Sequence, residues 1–245
     1  MQPIGRVTEL WHYPVSSVAG EALQTLEVTA TGVPGDRLFA LFEVATGHVA
    51  APERDQRWRP ALFLEARRGD GILPELRLPG EDWLRLDDPG LGDKLGAHFG
   101  FEVAVGTCRG GKEGELRFPI VSNRYAAAPL HILTTASLEA LSARGDLGTL
   151  DARRFRPSVV IETEATDTFL EAGWVGHPIR IGETIVEIRE PTRRCGMTLA
   201  AQPGIPEQPE VLRTIMRHAS RNFGVYGAVG DEVTLSVGDL VYAEI

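Results

Sequence analysis

Cys195 stands in Pro191-Thr192-Arg193-Arg194-Cys195-Gly196-Met197-Thr198, at the exit of a segment that reads as a strand. Arginines beside a thiol favour the thiolate, the form that attacks electrophiles, carries sulfur or binds soft metals. Two further basic elements accompany it. Arg153-Arg154-Phe155-Arg156-Pro157 precedes the apolar run Ser158-Val159-Val160-Ile161, and Gly35-Asp36-Arg37 combines a tight turn with the start of a strand. Planar guanidinium groups suit phosphate and other oxyanions. Each element also has a plain alternative. A lone cysteine is commonly a small buried hydrophobe, an Asp36–Arg37 pair can staple its own turn, and Arg156 can simply face solvent. Three basic elements and one cysteine together point to chemistry on an anion. If the chain stays extended through Arg193-Arg194-Cys195, side chains alternate and Arg193 shares the face of the cysteine. A turn at Gly196 would let both arginines approach.

The elements that would position these groups are mostly short strands punctuated by turns. Arg6–Val15, Leu26–Val33, Arg37–Val44, His48–Ala51, Ala61–Arg67, Glu75–Leu78 and Asp82–Leu86 read this way in the first half. Phe101–Val105, Glu115–Val121, Val159–Glu164, Ile179–Ile181, Thr184–Arg189, Glu232–Leu235 and Leu240–Glu244 continue the series. Ala45-Thr46-Gly47, Pro79-Gly80 and Val237-Gly238-Asp239 read as hairpin turns. Helices are few. Asp88-Pro89 opens one through Ala97, with Gly100 beyond its end. Thr135 caps another over Ala136–Arg144, with Gly145 closing it. Pro209 opens the third, with Val211, Leu212, Ile215, Met216 and Ala219 on one apolar face, which places Met216 in the core.

Composition narrows the classes. A chain of 245 residues is ample for a real core, as one β-rich domain or two smaller ones. A net charge of -9 argues against a general nucleic-acid binder. Two cysteines make no disulfide framework, which suggests a reducing compartment. The N-terminus lacks a basic-then-apolar leader and no apolar run is long enough to span a bilayer, so a cytoplasmic protein with no membrane partner is the expectation. No Gly-x-Gly-x-x-Gly follows a strand, no Gly-x-Ser-x-Gly elbow occurs, and Gly110-Gly111-Lys112 lacks the Walker spacing. The glycine-rich stretch Gly106–Glu115 reads instead as a connection between a β-rich first half and a mixed second half. The six histidines show no pair at zinc-ligand spacing, and His12 and His131 read as structural.

Several segments, taken in order, resemble one family. They are Tyr13-Pro14-Val15-x-Ser17, Gly35-Asp36-Arg37, Arg154-Phe155-Arg156-Pro157, Trp174…Ile181-Gly182, Arg194-Cys195-x-x-Thr198, Phe223-Gly224-x-Tyr226 and Val237-Gly238-Asp239-x-Val241. This order is similar to that of the MOSC superfamily, domains like the C-terminal domain of molybdenum-cofactor sulfurase. Its spacing looks like that of the longer members with an N-terminal β-barrel domain, such as the amidoxime-reducing ones and their bacterial relatives. The resemblance implies an α+β, mainly β fold: a MOSC-type barrel with few helices over 113–245, preceded by an N-terminal β-rich domain over 1–112. It implies a pocket for the molybdenum cofactor (molybdopterin) or for sulfur, with Cys195 as metal ligand or sulfur carrier. The cofactor contacts would come from Arg37, Thr134, Ser137, Arg156, Ser158, Arg193, Arg194 and Thr198. Three positions depart from the family pattern. Ser16 replaces a usual lysine, Ser158 a usual asparagine, and Ala200-Ala201-Gln202-Pro203 a usual Val-Asp-Pro.

Three functions follow as expectations. One is a molybdenum-dependent oxidoreductase acting on N-hydroxylated or similar small molecules, fed by a redox partner because no flavin or nicotinamide motif is visible. The second is a metal-free sulfurtransferase that carries a Cys195 persulfide supplied by a cysteine desulfurase. The third is a non-catalytic module for a phosphorylated ligand. Cys108 is expected to be structural.

Overall fold

The computed structural model describes residues 2–71, 73–108, 118–122 and 130–243. Gly110-Gly111-Lys112, the 112/113 boundary and the first residues of the strand expected over Glu115–Val121 lie outside the described residues. The contacts divide the chain into two units. One takes Met1–His12, Ala22–Pro34 and Ala127–Ile245, and the other takes Tyr13–Glu21 and Gly35–Ala126. Among the described residues, no helix is long and apolar enough to cross a membrane.

The larger unit is a closed barrel of seven strands, which leaves no exposed edge around the ring. These are β1 (Gly5–His12), β2 (Leu130–Thr134), β3 (Val159–Thr163), β4 (Pro178–Ile181), β5 (Thr184–Arg193), β6 (Asn222–Ala228) and β7 (Leu240–Ala243). Around the ring the order is β3-β2-β6-β5-β4-β7-β1, and β1 closes it by pairing antiparallel with β3, Val7 opposite Ile161. Alternation sorts the side chains into two cores. Leu130, Ile132, Val159 and Ile161 join the barrel interior, while Leu133 and Val160 join Phe155, Val211, Ile215 and Phe223 in a helix-covered layer.

Strands β2 and β3 are parallel, Ile132 opposite Val159, so the chain between them has to cross over. The crossover is the helix Thr135–Gly145 followed by the 3-10 turn Ala152–Phe155. It returns Arg156, Pro157 and Ser158 to the side of β2. The helix is capped by Thr134, not Thr135, through Ser137 N donating to Thr134 Oγ1 at 3.1 Å. Its left-handed C-cap is Asp146 (φ 49), one residue past the expected Gly145. The helix Pro209–His218 buries Val211, Thr214 and Ile215. Met216 is 57% exposed, contrary to its expected place in the core, because the inward stripe runs at i, i+3, i+4 from Val211 and turns Met216 outward.

The smaller unit pairs Phe39–Glu43 parallel with Val15–Ser16 and antiparallel with Val103–Thr107. A second sheet joins Glu65–Arg67, Glu75–Arg77 and Leu84–Arg85. Phe39, Leu41, Trp58, Leu64, Leu91 and Leu95 lie in its core. The strand expected over Ala61–Arg67 begins as a 3-10 turn, Gln56–Phe63, started by Asp55 accepting from Arg57 N. Pro60 lacks the N–H a strand ladder would need. Val237-Gly238-Asp239 turns the chain but joins no hairpin: Val233–Ser236 pairs with Thr25–Val28, and the next strand is β7.

Candidate functional site

Strand β5 ends at Arg193, and its ladder to β6 shifts between Pro191 and Arg193. Pro191 cannot donate to a ladder, and a bulge of this kind re-aims the chain. Beyond it burial separates the two arginines: Arg193 is exposed, and Arg194 is 9% exposed. Cys195 is half-buried and extended (φ -128, ψ -176), and it opens the 3-10 turn Gly196–Leu199. Thr198 closes that turn, its N and Oγ1 donating to Cys195 O at 3.2 and 3.0 Å. Buried Arg154 braces it from the chain side. Its Nη1 donates to Thr198 O at 3.0 Å and its Nη2 to Pro206 O at 2.8 Å. Burial holds the Arg154 guanidinium below its ordinary range, and Asp151 works against that shift. Arg154 therefore serves the backbone under the cysteine.

Arg194 is held from several sides. Its Nη2 donates to Phe155 O at 2.6 Å, its Nη1 lies 3.4 Å from His131 Nε2, and its guanidinium stands 5.5 Å from the Phe155 ring centroid. Its backbone is tied to Arg221, with Arg194 N donating to Arg221 O at 2.9 Å and Arg221 Nε to Arg194 O at 2.8 Å. His131 Nδ1 lies 3.1 Å from Arg156 O. Arg156 adopts φ 54 immediately before Pro157, with its side chain 8% exposed. A left-handed non-glycine residue is strained by about 1–3 kcal/mol, and a following proline restricts it further. Ser158 completes the group, its N donating to His131 O at 2.8 Å and its Oγ accepting from His131 N at 3.4 Å. The structure thus gathers Arg156, Ser158 and Arg194 around His131, on β2 and its crossover.

Thr134 and Ser137 meet a different group. Both hydroxyls donate to Glu171 Oε2, Thr134 at 2.6 Å and Ser137 at shorter range. Glu171 is 1% exposed, and its Oε1 has no hydrogen-bond partner. Burial pushes its carboxyl above the usual carboxylate range, and the Ser137 and Thr134 hydroxyls pull it partly back. A carboxylate at the N-terminus of the helix Thr135–Gly145 also meets the favourable end of the helix dipole.

In the smaller unit, Arg37 is left-handed (φ 50), ion-paired with Asp36 and stacked 4.9 Å from the Tyr13 ring centroid. Asp36 also accepts from Tyr13 N at 2.8 Å, so the turn is stapled by its own acid–base pair. Ser16, where the family pattern has lysine, is buried with no partner for its Oγ.

His131, Arg154, Glu171 and Gly224 were not marked as site residues by sequence. Gly224 carries a signal in hindsight. It is left-handed (φ 80), and a Cβ there would lie 2.5 Å from His131 Nε2. Among the described residues no three His, Cys, Asp or Glu side chains gather as a metal cluster.

Residues 98–242 match the family model described as MOSC domain, and residues 4–93 match that described as MOSC N-terminal beta barrel domain. Mitochondrial amidoxime reducing component 2 of Bos taurus is 26% identical over 291 residues, taking in 99% of this chain and 84% of the relative. The Homo sapiens protein of the same name is 25% identical over 287 residues, with the same two shares. A crystal structure of the YUAD protein from Bacillus subtilis covers 97% of this chain and 93% of its own, at a TM-score of 0.48 and 12% identity.

Proposed function

Since the chain belongs to the MOSC family, we propose that it is an oxidoreductase that binds the molybdenum cofactor and reduces small N-hydroxylated substrates. The observation that carries this reading is Cys195: a half-buried thiol on a turn braced by Thr198 and Arg154, one residue after a buried, oriented arginine. A thiolate is a suitable ligand for a soft metal centre. The donors around it suit an anionic pterin phosphate. Cys195 would hold the metal, and Arg156, Arg193 and Arg194 would supply contacts to the phosphate and pterin. Ser158 and Thr198 would act one step back, fixing His131 and the cysteine turn. Thr134 and Ser137 are engaged by Glu171 and would order the helix.

When bound, the cofactor would supply two-electron redox chemistry at Cys195. Conversion of an N–OH group to N–H consumes two electrons and two protons and releases water, the electrons coming from a separate redox protein. The relatives' name, amidoxime reducing component, fits that class of substrate.

The test is metal analysis of protein made in a host that assembles the cofactor. We expect about one molybdenum per chain in wild type, near-complete loss in Cys195→Ser, and retention in Cys108→Ser. Folded wild-type protein free of molybdenum would overturn the reading. If such protein instead gained one sulfur atom on Cys195 from a cysteine desulfurase, it would be a sulfur carrier.

A further inference from the structure

Strand β6 follows directly on a strained turn. Ser220 (φ 48) and Arg221 (φ 70) are consecutive left-handed residues, and neither is glycine. Such conformations persist where the surroundings hold them, and they cluster at ligand sites. Here the turn alters the end of a ladder. Arg193 stands opposite Asn222, so the next pair is Arg194 with Arg221. In a regular antiparallel ladder such a pair exchanges backbone N–H···O bonds in both directions. One direction is present, with Arg194 N donating to Arg221 O at 2.9 Å. The other is not, because the backbone N–H of Arg221 goes to Ile215 O at 3.3 Å. The Arg221 side chain takes its place, Nε donating to Arg194 O at 2.8 Å.

That carbonyl belongs to the peptide joining Arg194 to Cys195. The side-chain rung therefore anchors the Arg221 guanidinium at the Cys195 backbone, and covalent geometry keeps its central carbon within about 10 Å of the sulfur. Arg221 is exposed, and among the described residues the Arg194 carbonyl is the one partner of its side chain. No carboxylate pairs with it, although the chain carries a net charge of -9. The N–H groups on its Nη1 and Nη2 are left for a ligand. Arg154 and Arg194 differ from it, since both are buried and donate to protein carbonyls.

We propose that Arg221 is a specificity residue that receives the carboxylate or phosphate of a small molecule approaching Cys195, so that the site prefers anionic substrates. The proposal rests on the reading of the Cys195 region as the reacting site, and it adds the charge class of what reacts there. The Nε rung fixes where the charge sits, and the outer edge of the fork is what an oxyanion meets. An exposed arginine faces a group that comes and goes with solvent, which assigns it to the substrate and not to the cofactor.

The test separates the rung from the charge. Arg221→Gln puts an amide nitrogen as many bonds from Cα as the arginine Nε, so it keeps the rung and loses the charge. Arg221→Lys keeps the charge. Full-length protein from a host unable to make the cofactor leaves the thiol free. Alkylation of Cys195 by anionic iodoacetate is compared with alkylation by neutral iodoacetamide, at about 0.01 M salt where screening is weak. The ratio of the two rates reports attraction of an anion and cancels the thiolate fraction. We expect Arg221→Gln to lower the ratio about twofold, the scale of a unit charge about 10 Å away in water. Arg221→Lys should leave it unchanged, and the difference between wild type and Arg221→Gln should vanish in about 1 M salt. An unchanged ratio in Arg221→Gln, or an equal fall in Arg221→Lys, sinks the proposal. Molybdenum content is the second arm. Arg221→Gln from a host that assembles the cofactor should keep the molybdenum of wild type, and its loss would give the arginine to the cofactor and end the substrate assignment. Metal-free wild-type protein with the expected ratios would defeat the cofactor reading and leave Arg221 as the guide for anionic electrophiles at Cys195.

Discussion

Glu171→Ala should destabilise the barrel unit by about 3 kcal/mol, roughly a hundredfold in its unfolding equilibrium. The substitution leaves the Thr134 and Ser137 hydroxyls buried without their common acceptor and opens a cavity where the side chain stood. Each unsatisfied buried group costs about 1–3 kcal/mol, and relief from burying the carboxyl offsets part of the sum. Glu171→Gln separates shape from charge, since its amide oxygen can still accept from both hydroxyls. It should be at least as stable as wild type at pH 7. The pH dependence gives the sharper check. The folded carboxyl is raised above its unfolded value, chiefly by burial, so the folded state keeps a proton that the unfolded state releases. The Glu171 contribution is therefore fully present below the ordinary glutamate value of about 4.3 and is lost as pH rises through the folded value. Urea unfolding across that window should show wild type losing stability relative to Glu171→Gln. Parallel curves for the two proteins would show that the carboxyl does not titrate differently on folding.

Gly224→Ala is expected to be about as damaging, at about 3 kcal/mol, combining the left-handed penalty with overpacking. The added Cβ would lie 2.5 Å from His131 Nε2 and 3.0 Å from Ile132 O, at φ 80. The ring is held at both nitrogens and the carbonyl is backbone, so neither neighbour yields cheaply. Gly148→Ala is the control, because Gly148 shares the conformation (φ 69) but has nothing within 4 Å of the Cβ position. It should cost only the conformational part, about 1–2 kcal/mol. The difference between the two urea midpoints then measures the close approach to His131. Equal losses would remove steric closeness as the reason for glycine at 224.

The regular parts of the fold were legible where periodicity and punctuation agree. Pro209 and Gly100 mark real helix ends, and the strand cores at Val159–Thr163 and Pro178–Ile181 carry the apolar residues of a barrel interior. Two barrel strands were missed. Asn222–Ala228 contains Gly224 and Gly227, which read as turn formers, yet both are needed for backbone and side chains to approach closely. Leu130–Thr134 is a short apolar run broken by His131, and neither strand alternation nor length separates it from a loop. The arginines were visible as residues but not as roles. Arg153, Arg154 and Arg156 stand within four positions, yet one pairs with Asp151, one braces the cysteine turn and one is bent into a left-handed conformation beside His131. Such division of labour depends on the 3-10 turn and on contacts with residues more than forty positions away, such as Thr198 and Pro206, which no local window contains. Glu171 lay outside any motif because its partners sit 34 and 37 residues upstream.

The threading of the chain bears on how the protein is made. Strand β1 leaves the ribosome well before its partners at Val159–Thr163 and Leu240–Ala243. Gly5 meets Val241 only after all the residues between them have been synthesised. Pairings this distant in sequence carry a large loop-closure entropy and fold slowly. Until β7 arrives, the barrel has an open seam whose unpaired strands invite association with other nascent chains. Closure of the ring should therefore be the late step of folding. A chain stalled short of residue 240 would expose β1 for the whole of its lifetime, a natural handle for chaperones and quality-control proteases.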